Sequence, residues 1–309
     1  MSTRQFIAGG FGIALAFGSV AALAQEVSGS FRRELEVAAP LELDVGTGSG
    51  SITVRGGTRD RAVVVGRITA RERRGRTADD LEELVRELES APPIELTGNR
   101  LRVGHLEGSD YNWNISISYE IDVPVQTQVI ARTGSGSQTI SRIDGAVNVS
   151  TGSGSLALAD IQGSVEAHTG SGSIRAERIG GGFRADTGSG SVRLAQSAPG
   201  DVAITTGSGR AEVQGVDGSL RLHTGSGGLT VDGTPRGTWD LKTGSGSIVV
   251  QLPQGAAFNL EAHAGSGGVF SDHPVAMRGS IERGRISGAV RGGGPTVRAR
   301  TGSGGIRIE

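Results

Sequence analysis

Three histidines occupy one point of a repeating tract: His168, His223 and His263 each stand immediately before a Thr-Gly-Ser-Gly or Ala-Gly-Ser-Gly tetrapeptide. Imidazoles that recur in register are candidate metal ligands, because neutral histidine is the commonest side-chain ligand for transition ions. A shared ion would need them on neighbouring repeats. Between His168 and His223, however, the same point is held by Asp186 and Thr205, and Lys242 separates His223 from His263. If the repeats stack as paired strands, His168 and His223 are three steps and about 14 Å apart, too far for common ligation. They read as solvated residues of an outer face, and no metal or cofactor is expected.

The tracts themselves invite other chemistries. A phosphate loop would continue into Gly-Lys-Ser/Thr and open a helix, whereas each tract here is followed by an alternating strand pattern. The aspartate of calcium-binding nonapeptide repeats is missing. The serines do not form Gly-x-Ser-x-Gly and no His–Asp pair is indicated, so they are turn residues and not nucleophiles. A polysaccharide lyase or hydrolase is the enzymatic alternative, and it needs acids or bases gathered on one exposed face. The outward positions instead run Asn148, Glu166, Arg184, Ala203, Arg221, Asp240 and Asn259, a mixture suited to charge-paired solvation. Trp239 and Phe258 fall at inward positions and are assigned to the core, not to sugar platforms. No catalytic, cofactor-binding or metal residue is therefore assigned. Five arginines between Arg67 and Arg76 offer a contact for anionic lipid or polysaccharide, but Glu72 lies among them and a helix follows, so they read as a solvated connector.

The elements that carry these residues follow from the repeat. Thr-Gly-Ser-Gly begins at Thr47, Thr133, Thr151, Thr169, Thr187, Thr206, Thr224, Thr243 and Thr301, with a degenerate copy at Ala264. From Thr133 to Thr243 the spacings are 18, 18, 18, 19, 18 and 19 residues. Four and two residues before each threonine the chain is apolar: Val147 and Val149, Val165 and Ala167, Phe183 and Ala185, Val202 and Ile204, Leu220 and Leu222, Trp239 and Leu241, and Phe258 and Leu260. Five and seven residues after it come Leu156 and Leu158, Ile174 and Ala176, Val192 and Leu194, Leu229 and Val231, and Ile248 and Val250. Alternation at period two is a strand with one buried face. Each repeat is thus strand, Gly-Ser-Gly bend, strand and return turn, and one repeat alone cannot cover its apolar face. Stacking solves this, which predicts an all-β, parallel β-solenoid of coils of about 18 residues. The threonines are expected to form a ladder, hydroxyl over hydroxyl. A flattened and a triangular cross-section both remain open.

Before Thr133 the template recurs at Leu43, Val45, Thr47, Ile52 and Val54. Thr77 and Asp80 form a capping box, and Leu81, Leu84, Val85 and Leu88 share one helical face, which predicts one short helix over 78–89 as an N-terminal cap. Trp113, Ile115, Ile117, Tyr119, Ile121 and Val123 alternate with Asn114, Ser116, Ser118 and Glu120 along a long strand. Residues 1–24 carry Arg4, an apolar run and Ala22-Leu23-Ala24, the pattern of a cleaved signal peptide, leaving Gln25 first and directing export by the Sec route. The net charge of −1 excludes bulk attraction to nucleic acid, and 53 glycines in 309 residues suit a glycine-punctuated repeat. No cysteine is present, so disulfides play no part.

Ile117-Ser-Tyr-Glu-Ile-Asp-Val-Pro124, the Thr-Gly-Ser-Gly array after it, and Gly288-Ala-Val-Arg-Gly-Gly-Gly-Pro295 followed by Thr301 together resemble the bacterial β-strand-repeat family DUF4097, described as a candidate adhesin domain. The resemblance covers roughly residues 35–309. It implies a β-helical envelope protein with no established reaction. Two departures stand out: Gln138 at an apolar ladder position, and the coil from Ile281 to Val290, which lacks its tract.

The sequence is read as a signal peptide (1–24) and one continuous domain, whose N-terminal part (25–130) leads into the repeats (131–309). Its expected role is that of a non-catalytic exported module, structural, adhesive or ligand-binding, acting through a repetitive outer face. Its partner would be an envelope polymer or protein, in the periplasm, at the cell surface or secreted, with no nucleic acid and no membrane span. Ile306 and Ile308 match the strand after the last tract, so the C-terminal strand is expected to be the open end of the stack. Self-association through that edge, or a self-cap by residues 271–295, would cover it.

Overall fold

In the computed structural model, which describes residues 26–71, 77–105, 115–277 and 284–309, the period-two segments form one continuous 25-stranded sheet wound as a β-solenoid. The signal peptide, Trp113, Asn114, Ile281 and the arginines at 73, 74 and 76 lie outside the described residues. Each coil runs through a first strand, such as Val147–Thr151, bends at Gly-Ser-Gly, continues in a second strand, such as Leu156–Ile161, and turns back. First strands pair in parallel with first strands and second with second, so the apolar positions of the template fall in columns. In one, Ile204, Leu222 and Leu241 are successive partners, all buried. The two residue spacings have a simple origin. The return between Val192–Gln196 and Val202–Ser208 (197–201) is two residues longer than that between Ile174–Ile179 and Phe183–Thr187 (180–182), while its strand is one residue shorter, and the register shift lies between Glu177 and Ile179 of the facing strand.

The threonines form a single file. Thr47, Thr133, Thr151, Thr169, Thr187, Thr206, Thr224, Thr243, Thr301 and Ala264 are successive partners. This is the expected ladder, and its hydroxyls bond backbone groups of the bends. Thr169 Oγ1 donates to the carbonyl of Gly154 in the preceding coil at 3.0 Å and accepts the N–H of Gly172 in its own coil at 3.0 Å. Backbone groups at the bend have no strand partner, and a buried one left unpaired is costly. The threonine side chain supplies both missing bonds. From Gly227 onward the bend changes: Gly227, Gly246 and Gly304 adopt φ of 155°, 153° and 139°, and their N–H groups donate to serine carbonyls of the next coil. The second glycine is needed in both forms because coils approach closely there. A Cβ on Gly154 would lie 1.9 Å from the carbonyl oxygen of Gly136.

A third column is strained. Arg142, Asp160 and Arg178, one per coil, take φ of 59°, 56° and 54° just before the last paired residue of each second strand, Ile143, Ile161 and Ile179. Arg178 pairs with Asp160 through two hydrogen bonds, one of 2.8 Å to Oδ2. Gln138, flagged as a polar intruder, is fully buried beside Leu156 and gives its amide N–H to the carbonyl of Ser150 at 2.6 Å.

Both ends are finished with antiparallel strands. At the N-terminal end Glu26–Glu36, Arg61–Arg71 and Ile115–Pro124 extend the second-strand sheet, and the hairpin Ile94–Thr97/Arg100–Val103 extends the first. Helix α1 (Ala78–Ser90) starts at the Thr77–Asp80 capping box and lays Leu81, Leu84, Val85 and Leu88 in the core beside the edge strand Glu26–Glu36. Gly29 leaves room for it, since a Cβ there would meet Val85 Cγ1 at 2.4 Å. Glu89 accepts the N–H of Ser30 at 2.7 Å, so the helix also blocks part of that open edge.

The C-terminal end corrects the sequence reading twice. Thr296–Ser303 and Ile306–Ile308 are not the last coil; they lie between the strands of the Thr243 coil and those of the Ala264 coil. The C-terminal strand is therefore internal, and the self-association expected at its edge loses its geometric basis. Secondly, the partners of Trp239 and Leu241 along this file are Val297 and Ala299, then Leu260 and Ala262; Phe258 lies one pleat earlier. The outward residue of that rung is consequently Glu261, not Asn259. The segment after Ser271 does cap the stack, because Arg285–Val290 adds antiparallel to Phe258–Ser266 and Val275–Met277 adds antiparallel to Arg285–Val290. His273 is buried over this end, edge-on to Phe258 at 5.5 Å, with Nε2 3.1 Å from the backbone oxygen of Glu309.

Candidate binding face

On the outside of the first-strand sheet, one residue per coil projects at each of two template positions. Three residues before each threonine lie Ile130, Asn148, Glu166, Arg184, Ala203, Arg221, Asp240, Arg298 and Glu261, in that spatial order. The return turns Ala146, Ser164, Gly182, Asp201, Ser219 and Thr238 rise beside them and are built from small residues. Between turn and strand runs a groove of about 870 Å³ that follows the solenoid axis from Gln128 to Asp240. It crosses seven coils because the same small-residue turn recurs in each.

The charges along this face are tied to one another. Asn148 Nδ2 donates to Glu166 at 3.2 Å, and Arg184 Nε lies 3.8 Å from Glu166 and 3.4 Å from Asp186. His168 stands between the two carboxylates, 3.2 Å from Glu166 and 3.3 Å from Asp186. The register pairing of Glu166 with Arg184 is thus as the template required. Arg221 and Asp240 are also register partners, but the Asp240 carboxylate lies 3.3 Å from His223 Nε2. Arg298 donates to Glu261 at 2.8 Å. These carboxylates are held as ion-pair partners along a face, an arrangement for solvation and contact more than for moving protons. The three histidines all face outward; His168 and His223 are three rungs apart, and His263 is two rungs beyond Lys242 because Arg300 intervenes.

One perturbed group lies inside the N-terminal end. Tyr119 is buried under the N-terminal cap against Phe31, and burial pushes its phenol far above the ordinary tyrosine range. Its hydroxyl has no hydrogen-bond partner among the described residues.

One feature of the face was invisible in the sequence. The next outward file reads His223, Lys242, Arg300, His263 and Arg285 on five consecutive strands. Lys242 and Arg300 are 58 residues apart in sequence and become neighbours only because the C-terminal strand is intercalated.

The stacked two-strand coils with their Thr-Gly-Ser-Gly bends agree with a family model that spans residues 42–309. The chain belongs to the Toastrack DUF4097 family. No curated protein matches it. Among solved structures, a candidate adhesin from Parabacteroides distasonis ATCC 8503 is similar at 8% identity, with 91% of this chain and 97% of that chain covered and a TM-score of 0.38. A candidate lipid-binding protein from the same organism shares 15% identity over 91% and 96% of the two chains, with a TM-score of 0.33. A candidate cell adhesion protein from Clostridium sporogenes ATCC 15579 shares 14% identity over 91% and 99%, with a TM-score of 0.21. Among the described residues, no helix of this Toastrack chain is long and apolar enough to cross a membrane.

Proposed function

We propose that this Toastrack protein is a non-catalytic, exported module of the cell envelope that holds an extended polymer or polypeptide along its solenoid axis. The observation that carries this reading is the groove across seven coils, lined by one equivalent side chain per coil. Such a surface makes many similar weak contacts, and affinity then grows with the number of coils engaged. The carboxylates beside the groove are committed to Arg and His neighbours, which suits recognition more than general acid catalysis. Export rests on the signal-like segment 1–24.

The test combines location with contact. Fractionated cells should hold the protein outside the cytoplasm, and the purified chain should be retained on isolated envelopes. Ser164→Arg with Ser219→Arg, which narrows the groove from its wall, should reduce that retention while the melting temperature stays within a few degrees. Turnover of pectin, alginate or peptidoglycan by the purified chain, abolished by Glu166→Gln, would replace this reading with the lyase or hydrolase one.

A further inference from the structure

The file His223, Lys242, Arg300, His263 and Arg285 sets basic residues directly opposite one another across four successive strand pairings. Lys242 and Arg300 are fixed cations set directly opposite each other, and like charges in that relation oppose folding. Over the same five strands the neighbouring file adds Arg221 and Arg298 but only two acids, Asp240 and Glu261. Arg221, Lys242, Arg298 and Arg300, four fixed cations on adjacent strands, therefore face two carboxylates, on a chain whose net charge is −1. The two acids are engaged by His223 and Arg298, and neither Lys242 nor Arg300 has an ion-pair partner among the described residues. Both are exposed. A local violation of charge pairing within an otherwise consistent repeat marks a surface kept for something other than stability.

We propose that this file is the binding stripe for a linear polyanionic glycan, a chain of uronate sugars laid parallel to the solenoid axis. The inference rests on the envelope-binding reading above and names its ligand class. The first argument is spacing: rungs recur about every 4.8 Å, of the same order as the advance of one linked pyranose ring, so the adjacent cations Lys242 and Arg300 come within reach of carboxylates on one face of a single glycan chain. The second is continuity, since Arg221 and Asp240 line the end of the groove and belong to the same rungs as His223 and Lys242. A glycan seated on the stripe passes straight into it. The third argument is the absence of stacking platforms. The exposed large hydrophobic side chains among the described residues are Val125 and Phe270, and neither is on this sheet's outer file. Single-stranded nucleic acid relies on aromatic platforms, whereas a carboxylated glycan needs only the charges.

The full exported chain would be tested for binding to immobilised polygalacturonate, with dextran and single-stranded DNA as comparison surfaces, across a salt series. The expected result is salt-sensitive binding to polygalacturonate and none to dextran. Lys242→Glu with Arg300→Glu should weaken it at least about tenfold and flatten the salt dependence, because fewer counterions are then released. Arg175→Glu with Arg193→Glu, an equal charge change on the other sheet, should leave it unchanged. Melting curves verify that each variant is folded, and Lys242→Gln with Arg300→Gln gives the same comparison if charge reversal prevents folding. Absence of polygalacturonate binding, equal binding by the stripe variants, or equally tight binding of DNA at the same salt would each overturn the proposal. Retention on isolated envelopes separates the two readings. If the stripe variant is retained like the parent, the stripe assignment fails and the envelope module stands; if the parent is not retained, the envelope reading itself fails.

Discussion

Thr169→Val is the substitution that most directly probes how the coils are held together. The two side chains have nearly the same shape, so the change removes a hydroxyl with little loss of volume. Thr169 is buried, donates to Gly154 and accepts from Gly172, both at 3.0 Å. Valine leaves that carbonyl and that N–H buried without their partner, at about 1–3 kcal/mol for each such group. A methyl also needs more room than an oxygen at that contact, so the coil must spread slightly. The gain from burying the methyl offsets less than about 1 kcal/mol. The expected net loss is about 1–5 kcal/mol. Thr169→Ser keeps both hydrogen bonds, gives up one methyl and should cost about 1 kcal/mol. Thr243→Val gives an internal comparison. Thr243 donates to Gly227 at 2.9 Å, but the N–H of Gly246 is already directed to Ser303, so only one group is orphaned and about 1–2 kcal/mol is expected. Urea unfolding followed by circular dichroism, with the slope compared among variants, gives these differences. If Thr169→Val proves no worse than Thr169→Ser, the threonines are present for their methyl groups and the hydrogen-bonded clip does not hold the stack.

Three further outcomes follow from the same geometry. Leu222→Asp places a carboxylate in the dry column between Ile204 and Leu241 and should cost several kcal/mol, while Arg221→Asp on the outer face should cost about 1 kcal/mol or less; similar losses of melting temperature for the two would invert the assigned faces. Ala264→Thr should stabilise the chain by about 0.5–1.5 kcal/mol, by giving the last rung a donor for the Gly304 carbonyl as Thr301 serves Gly246 at 2.8 Å; a lower melting temperature would show that the end rung has a different shape. The Arg178 guanidinium, hydrogen-bonded to Asp160, holds that carboxyl below its ordinary range. Its stabilising contribution is therefore complete above the unfolded carboxyl value near pH 4 and lost as pH falls through the lower folded value. The stability advantage of the parent over Asp160→Asn should shrink on acidification below about pH 4, and an advantage that grows instead would contradict the assignment.

What the sequence determined was local and periodic. Apolar residues at period two around each tract decide which face of each strand is buried, and a slip of one residue would expose the whole set. That is why the columns through Leu43, Val129, Val147 and Val165, the outward histidines, the Glu166–Arg184 pairing and the Thr77 capping box were all legible before any coordinates. The order of the last coils was not. Thr296–Ser303 carries the same apolar-x-apolar-x-Thr-Gly-Ser pattern as the other rungs, so the pattern alone does not fix its place in the stack. Only the three-dimensional path places it between the Thr243 and Ala264 coils, with the hairpin Val275–Met277/Arg285–Val290 occupying the far side of Phe258–Ser266. That order puts Ala264, the one rung of the file without a hydroxyl, at its end, where no further coil follows and the cap takes over, its N–H donating to Gly284 at 2.8 Å. It also sets Lys242 against Arg300, and so the basic stripe is a property of stacking order that no periodicity in the chain encodes.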